Sequence, residues 1–403
     1  MTALLTRDAA GLPAAPVRLV HLGLGAFHRA HQAWWTAAVD PGNEWGIAAF
    51  SGRTPGAAEV LARQDGLFTL VERGPERDRP QVVPSIVEAI DGARVDRLAE
   101  LVAAETTVAV TMTVTEAGYG LQPDSPLSRL VVALRARYRA GGAPIAIVPC
   151  DNLPGNGAVV RAALLELADA ELAQWIEGSV SFVSTSVDRI TPRLADADLD
   201  IAERLGGLAD RAPVITEPFR DWTLSGAFPA GRPPWELAGA KFVDDIEPYE
   251  KRKLWLLNGA HSLLAALGQL RGHELVAQAI TDPVCRESVI EFWAEARRTI
   301  DDESLGLDAY CSALLERFEN PRIRHELAQI ALDAQTKLRL RIVPVARAER
   351  AAGRGADGCA RAIAAWCARV DGRVDDLDSD LAADAGFMST VGAELAVMQR
   401  SRA

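Results

Sequence analysis

Short apolar runs alternate with alanine- and leucine-rich segments from Val17 to Glu217, and this alternation constrains the fold more than any other feature of the sequence. Within the runs, apolar and polar residues do not alternate, so the strands are expected to be buried on both faces. Buried strands separated by helices form a parallel, doubly wound α/β sheet. The predicted strands are VRLVHLG, WGIAAFS, TTVAVTMTV, APIAIVP and SVSFVSTSV, and the clearest helices are Ala57–Gln64, Ser125–Ala140 and Gly157–Leu172.

After Asp221 the pattern changes, because FPAGRPPWELAG reads as a connecting segment and nearly every stretch from Glu247 onward has helical composition. The run EKRKLWLLNGAHSLLAALGQL predicts one long helix. Further helices are predicted in VCRESVIEFWAEARRTI, YCSALLERF, RHELAQIALDAQTKLRLRI and CARAIAAWCARV. We therefore predict a Rossmann-like α/β domain over residues 1–243 and a mostly helical substrate-binding domain over residues 244–403.

The net charge and the cysteine content indicate which binding partners, compartment and metal sites to expect. A formal net charge of -12 repels phosphate-rich surfaces, so neither a nucleic-acid partner nor an anionic membrane is expected. No apolar run reaches the ~18 residues of a membrane span, and the first residues do not resemble a signal peptide. The 5 cysteines include no CxxC pair, which indicates thiols in a reducing cytoplasm and predicts no metal site. No heptad run suggests a coiled coil, and a monomer or small homo-oligomer is expected.

The stretch VHLGLGAFHRAH, Val20 to His31, carries G-x-G at Gly23 and Gly25, but His28 occupies the position of the third fingerprint glycine. In a dinucleotide turn the first glycine permits the bend, the second admits the pyrophosphate and the third allows close helix packing. An ordinary strand-to-helix glycine turn explains G-x-G equally well. The candidate cofactor-binding residues here are Gly23, Leu24, Gly25, Ala26 and Phe27.

Arg53 lies near the end of the second predicted strand, where an NAD enzyme usually has Asp or Glu. It could face the 2′-phosphate of NADP, or it could be a solvated loop charge. The sequence therefore predicts a nicotinamide cofactor, with NAD and NADP both left open.

The segment EPYEKRKLWLLNGAHSLLAALG combines Glu250, Lys253, Asn258 and His261. At about 100° per residue these groups share an arc of roughly 140° that interrupts an apolar face. A site at a domain cleft would explain their burial: Lys253 as a proton acceptor, Asn258 as an oxyanion donor and His261 orienting a hydroxyl. The alternative is an amphipathic helix with a snorkelling lysine and a core histidine.

A polar turn, VPCDNLPGNG, follows the fourth predicted strand, where α/β enzymes present ligand groups. Asn152 or Asn156 could supply a second oxyanion donor, although an Asx/Pro/Gly turn needs no function. Gly259, in mid-helix, costs ~1 kcal/mol relative to alanine and indicates close approach by a ligand or another backbone.

Together these segments resemble the polyol-specific long-chain dehydrogenases, a family that includes mannitol 2-dehydrogenase, fructuronate reductase, tagaturonate reductase and mannitol-1-phosphate 5-dehydrogenase. The resemblance covers most of the chain and is carried by HLGLGAFHRAHQA, QDGLFTLVERG, TVTEAGY, CDNLPGNG, SVDRITPR, EPFRDW, GRPPWE, YEKRKLWLLNGAHS and RFENPRIRHELAQIALDAQTK. It implies a Rossmann-like domain, a helical substrate domain and metal-independent hydride transfer between a nicotinamide and a secondary alcohol or ketone.

The resemblance also assigns roles to residues. It implies Lys253 as general acid/base, Asn152 and Asn258 as the oxyanion hole, and His261 as the residue that positions the reacting oxygen. The remaining implied roles are Glu250 as a gate for water and protons, Asp188, Glu116 and Lys337 near the substrate, and Arg29 near the pyrophosphate.

The leading hypothesis is a mannitol/fructose dehydrogenase acting at C2. The alternatives are a fructuronate or tagaturonate reductase, with Lys337 or Arg189 facing the carboxylate, and a mannitol-1-phosphate 5-dehydrogenase. A catalytically silent NAD-binding sensor is the alternative from another class.

Overall fold

The computed structural model describes residues 2–52, 54–114, 116–120, 122–300 and 302–400, and gives the backbone alone for 116, 117 and 303. The chain forms two compact units, Met1–Ile246 and Glu247–Ala403. The division falls just after the expected boundary at 243/244, because the backbone N–H of Val243 still donates to the carbonyl of Leu224 in the first unit.

The first unit is built on a six-stranded parallel sheet with the strand order β5-β2-β1-β6-β7-β8. Its strands are β1 (Val17–Leu22), β2 (Gly46–Phe50), β5 (Ile86–Ile90), β6 (Ala109–Met112), β7 (Ile145–Pro149) and β8 (Val180–Phe182). Every residue of β2, β6 and β7 is buried. This confirms the predicted doubly wound sheet, in which apolar runs are covered on both faces.

Two three-stranded sheets flank the main one, in the orders β10-β3-β4 and β12-β11-β9. Their strands are β3 (Phe68–Arg73), β4 (Asp78–Val83), β9 (Ser184–Asp188), β10 (Val214–Thr216), β11 (Asp221–Ser225) and β12 (Lys241–Phe242). The prediction of one strand over SVSFVSTSV was wrong, because β8 joins the main sheet and β9 joins a flanking one. Val183, between β8 and β9, lies close to the backbone of Gly226, because a Cβ on Gly226 would lie 2.9 Å from the Cα of Val183.

Helices cover the main sheet as predicted, with shifted ends. The α-helices of the first unit are α1 (Arg7–Ala10), α2 (Ala26–His28), α3 (Trp34–Ala38), α4 (Gly56–Ala62), α5 (Val95–Ala103), α6 (Pro126–Arg139), α7 (Asn156–Leu167), α8 (Ala170–Ser179) and α9 (Asp196–Gly206). A π-helical turn, Arg29–Ala33, joins α2 to α3. The predicted helix Gly157–Leu172 is two helices, because the side chain of Asp169 accepts from the N–H of Leu172 and caps a new helix.

The second unit is helical. Its α-helices are α10 (Glu247–Arg252), α11 (Ala260–Leu270), α12 (Val276–Thr281), α13 (Pro283–Thr299), α14 (Leu307–Phe318), α15 (Leu327–Ile330), α16 (Ala334–Arg341), α17 (Val343–Ala351), α18 (Asp357–Val370), α19 (Ser379–Ala383) and α20 (Ala385–Arg400). The predicted helix over RHELAQIALDAQTKLRLRI is interrupted at Asp333, whose φ of 51° is left-handed. Among the described helices, none combines the length and apolar character needed to cross a membrane.

Candidate active site

The glycine turn lies at the carboxyl edge of the main sheet, between β1 and β6, where strand order reverses and α/β proteins bind ligands. Gly23 has a φ of 108°, and a Cβ there would lie 2.2 Å from the carbonyl oxygen of Thr113. The N–H groups of Gly23 and Leu24 both donate to the carbonyl of Phe50, at 3.0 and 2.8 Å. Only glycine fits position 23, so the first fingerprint glycine performs its expected task.

A cavity of about 820 Å³ opens beside this turn, and we call it the nucleotide cavity. Its lining comes from the carboxyl ends of β1, β2, β5 and β6 and from the start of α6, and includes Gly23, Ser51, Gly92, Thr113 and Arg129. The volume is in the range of cofactor pockets. Gly25 precedes α2 without a side-chain cap for the first-turn N–H groups, which suits a phosphate. The described residues therefore fit a dinucleotide.

His28 takes over the packing task of the missing third glycine. Its ring stacks on the ring of His21 in β1, with centroids 3.3 Å apart and planes 11° from parallel. Two flat rings in face contact keep the helix close to the strand. Burial lowers the pKa of His21 to about 3, and burial together with the neighbouring His21 lowers the pKa of His28 well below its ordinary value. Both imidazoles are therefore neutral at physiological pH.

His21 also connects the turn to β6. Its Nδ1 and Nε2 lie 2.8 and 3.0 Å from the hydroxyls of Thr111 and Thr113, and the Thr113 hydroxyl donates to the carbonyl of Gly23 at 2.8 Å. These hydrogen bonds hold the ends of the two central strands at a fixed separation.

Arg29 points into the protein. Its Nε donates to the carbonyl of Gly25 at 3.2 Å, Nη1 donates to the carbonyl of Ala212, and the guanidinium lies over the ring of Phe68. Burial lowers its pKa to about 10. Its contact with a pyrophosphate stays a prediction, as do those of Ala26 and Phe27. Arg53 and the side chain of Glu116 lie outside the described residues.

The two candidate asparagines have different surroundings. Asn152 lies in the polar turn after β7, residues 150–155, and Asn156 begins α7. Asn156 is buried, accepts from the N–H of Thr185 at 2.9 Å and donates to its carbonyl at 3.0 Å. It therefore fixes α7 to β9. Asn152 is exposed, which leaves it the candidate oxyanion donor. Asp151 accepts from the phenol of Tyr119, in the loop after β6, so two loops at the carboxyl edge are joined.

In the second unit, Lys253–Gly259 winds as a π-helix between α10 and α11, with Glu250 in the preceding α-helical turn. Lys253 and Asn258 are partly exposed, whereas Leu256 and Leu257 are buried. π-helical turns are rare and frequently occur at functional sites. The arc derived above assumed α-helical geometry throughout and does not apply to this segment.

His261 follows in α11 and is buried, with 7% of its surface exposed. No described atom forms a hydrogen bond with its Nε2. Its ring meets that of His325 edge-on at 4.7 Å and lies 4.8 Å from that of Phe318. Burial, then His325, Arg317 and Arg341, hold its pKa well below the ordinary value. His261 is therefore a neutral imidazole with a buried nitrogen that a ligand could satisfy.

Several neighbours of this segment were not singled out from the sequence. Arg341 Nη1 donates to the carbonyl of Asn258 at 3.3 Å and to the hydroxyl of Ser262 at 3.1 Å. His325 and Phe318 lie in the motif RFENPRIRHELAQ, which was the available signal. The close approach at Gly259 comes from a side chain, because a Cβ there would lie 2.6 Å from Cε1 of Phe292.

The other predicted substrate residues have these surroundings. Asp188 ends β9 and is buried, and Lys337 in α16 donates to the carbonyl of Ile330 at 3.0 Å. Arg189, which with Lys337 was a candidate to face the carboxylate of a uronate substrate, is buried. Its guanidinium donates to Glu217 O at 3.2 Å, Ala30 O at 2.6 Å and Glu72 Oε1 at 2.5 Å. A structural role accounts for Arg189, since these bonds use all three of its nitrogens.

One group of described side chains has the composition of a metal site. Donor atoms of His273, Asp282 and Cys285 lie within 4.8 Å of one another. Asp282 is already in use, because Oδ2 accepts from Arg271 at 2.6 Å and lies 2.9 Å from His273 Nε2, and Oδ1 accepts from the N–H of Val284. Burial and the Asp282 carboxylate raise the pKa of Cys285 to about 12. This group is better explained as a helix cap with an ion pair.

Two family models match the chain. The mannitol dehydrogenase Rossmann domain matches residues 17–237, and the mannitol dehydrogenase C-terminal domain matches residues 245–385. The chain is 36% identical over 392 residues to D-mannonate oxidoreductase of Escherichia coli (strain K12), covering 88% of this chain and 80% of that protein. It is 34% identical over 413 residues to mannitol 2-dehydrogenase of Cereibacter sphaeroides, covering 93% and 85% respectively.

The structure resembles a solved relative. Pseudomonas fluorescens mannitol 2-dehydrogenase, in a ternary complex with NAD and D-mannitol, matches with a TM-score of 0.78 and 29% identity. The match covers 96% of this chain and 93% of that one.

Proposed function

The chain belongs to the mannitol dehydrogenase family, and on that basis we propose that it oxidises a hexitol at C2, with mannitol and fructose as the substrate pair. As a member of this family it is an NAD-dependent oxidoreductase. Its substrate is a small polyol, a ketose or a related acid.

One observation carries the proposal: the second unit combines Lys253 and Asn258 in a π-helical turn with a buried, neutral His261 three residues later. In polyol oxidation, neutral Lys253 takes the proton of the reacting hydroxyl. The Asn258 amide donates to the oxygen as negative charge develops on it. His261, neutral because it is buried, forms a hydrogen bond with the same oxygen and orients it without adding a cation.

Bound NAD supplies the acceptor for the hydride that leaves C2. Asn152 donates the second hydrogen bond to the developing oxyanion. Glu250, one α-helical turn before Lys253, passes the proton from the lysine to water. In the reverse direction, protonated Lys253 returns the proton to the ketone oxygen. The roles of Asp188, Glu116 and Lys337 near the substrate stay predictions.

A second candidate substrate class is a sugar acid such as fructuronate, tagaturonate or a hexonate. Burial is the largest cause of the low pKa of His261, and the positive charges of Arg317 and Arg341 lower it further. A carboxylate would be attracted to such surroundings. The similarity to D-mannonate oxidoreductase supports the same class.

A substrate panel tests the proposal: mannitol, arabinitol, mannonate, fructose, fructuronate, tagaturonate and fructose 6-phosphate, followed by nicotinamide absorbance. Turnover of mannitol and fructose alone supports the first candidate. A preference for the acids, with KM for the acid raised at least about tenfold by Arg341→Gln, supports the second. Preference for the phosphorylated sugar would contradict both. NADH binding without any turnover would identify a silent sensor.

We also propose a cytoplasmic location. The five cysteines, Cys150, Cys285, Cys311, Cys359 and Cys367, are all buried and unpaired by disulfides, as in a reducing compartment. Fractionation of the source cells, with an antibody to the chain, tests this.

A further inference from the structure

Arg129 lines the nucleotide cavity from the first turn of α6. Its Nη1 donates to the carbonyl of Gly92, which follows β5, at 2.7 Å. No described carboxylate forms an ion pair with Arg129. The cavity wall therefore carries a partly buried cation whose guanidinium is fixed by one hydrogen bond and has four further N–H donors.

The position of this guanidinium is set by the end of β2. The N–H of Gly92 donates to the hydroxyl of Ser51 at 3.0 Å, and a Cβ on Gly92 would lie 2.1 Å from Ser51 O and 3.0 Å from Arg129 Nη1. Gly92 therefore contacts both Ser51 and Arg129. A side chain at position 92 would leave no room for these two contacts. Arg129 therefore reaches the end of β2 through Gly92, which contacts Ser51, the residue after β2.

The end of the second strand is where a dinucleotide-binding domain recognises the adenosine ribose. A carboxylate there binds the 2′-hydroxyl of NAD, whereas a nearby arginine accommodates the 2′-phosphate of NADP. The described residues after β2, namely Ser51, Gly52 and Thr54, include no carboxylate. We propose that Arg129 is a specificity-determining residue that binds the 2′-phosphate, so that the chain uses NADP as well as NAD.

The chemistry of the cluster fits a phosphate. A guanidinium pairs with phosphate through two parallel N–H···O bonds, which are stronger than neutral hydrogen bonds. The Ser51 hydroxyl accepts from Gly92 and retains its own proton for donation. Among the described residues that line the cavity, the other ionisable one is Asp124, which is exposed, so water screens its repulsion of the phosphate. The proposal concerns the cofactor and is independent of which polyol or acid is the substrate.

Calorimetry on the purified full chain tests the proposal without turnover, with adenosine 2′,5′-bisphosphate and 5′-AMP as probes. The wild type should bind the bisphosphate at least as tightly as 5′-AMP. Arg129→Gln should weaken bisphosphate binding by about 10- to 100-fold and 5′-AMP binding by less than about threefold. Arg94→Gln, which removes an exposed arginine paired with Asp96, is the matched control and should leave both affinities unchanged.

Three outcomes would overturn the proposal. The first is a wild type that binds the bisphosphate at least about tenfold more weakly than 5′-AMP. The second is an equal loss of both probes in Arg129→Gln, which would identify a structural brace or an adenine contact. The third is loss of the bisphosphate preference in Arg53→Gln while Arg129→Gln retains it. If Arg129→Gln does not fold, Arg129→Lys, which keeps the charge and loses the paired geometry, should still lower the ratio of the two affinities.

Discussion

Lys253 and Asn258 lie five residues apart in a helical segment whose hydrogen bonds run from residue i to residue i+5, so they are separated by one turn on the same side of the helix. In an α-helix the same spacing would turn the two side chains well away from each other. The π-helical turn therefore brings the proposed base and the proposed oxyanion donor to the same side of the helix.

Lys253→Ala should lower kcat for polyol oxidation at least about 100-fold, because a positioned general base contributes this much or more to the rate. Lys251→Ala is the matched control. Lys251 lies two residues earlier in α10, is paired with Glu247, and should keep activity within about twofold, since a surface ion pair contributes little. Equal activity of the two folded variants would remove Lys253 from the mechanism.

Asn152→Ala and Asn156→Ala should have different effects. Loss of an oxyanion donor at Asn152 should reduce kcat about 100- to 1,000-fold with little change in the unfolding transition. Asn156→Ala leaves the backbone N–H and carbonyl of Thr185 without their partner, and should cost about 1–3 kcal/mol of unfolding free energy. Steady-state kinetics and urea titration measure the two effects. Reversed results would exchange the assignments.

Gly23→Ala should destabilise the first unit by more than about 2 kcal/mol and abolish NAD binding, because the added Cβ meets the Thr113 carbonyl at a left-handed backbone position. Gly25→Ala adds a Cβ at an extended position, 3.6 Å from the nearest atom, the carbonyl oxygen of Gly23. It should fold normally and weaken NAD binding through crowding at the phosphate. Thermal unfolding with and without NAD separates the two, and equal melting temperatures would contradict the turn geometry.

The buried histidines should make the protein sensitive to mild acid. The folded-state pKa of His21 is about 3, below the ordinary value, so the unfolded chain binds the proton first. The stability that neutral, buried His21 contributes is complete above about pH 6.5, and it is lost as the pH falls toward 3. His21 alone should cost about 2 kcal/mol between pH 7 and pH 5. Chemical denaturation at both values measures this loss, which His21→Gln should reduce. An identical pH slope in wild type and variant would contradict a neutral His21.

The main sheet was predictable because its strands are continuous apolar runs, and such runs are stable only when covered on both faces. The flanking sheets were harder to predict. SVSFVSTSV has strand composition throughout, yet β8 and β9 belong to different sheets because close backbone approach at Val183 separates them. Local composition does not encode which neighbouring backbone a strand reaches.

The geometry of the candidate site could not be predicted from the sequence. The spacing of Lys253, Asn258 and His261 proposes a catalytic set, which stays a prediction, and the α-helical wheel gave the wrong arc because residues 253–259 form a π-helix. Arg129 was missed because nothing in PLSRLVVALRARYR distinguishes it from a surface arginine. Its position depends on Gly92 and Ser51, which belong to other elements.

The sequence by itself determined the two-part organisation, the parallel sheet, the glycine turn and the set of polar residues in the lysine helix, because each depends on patterns within a few neighbouring residues. Tertiary structure alone decided that His28 replaces a glycine by stacking on His21, that Asn156 is structural while Asn152 is exposed, and that Arg129 contacts Gly92 beside the residue that follows β2. These outcomes depend on distances between segments remote in the chain, which are fixed only when burial brings those segments into contact.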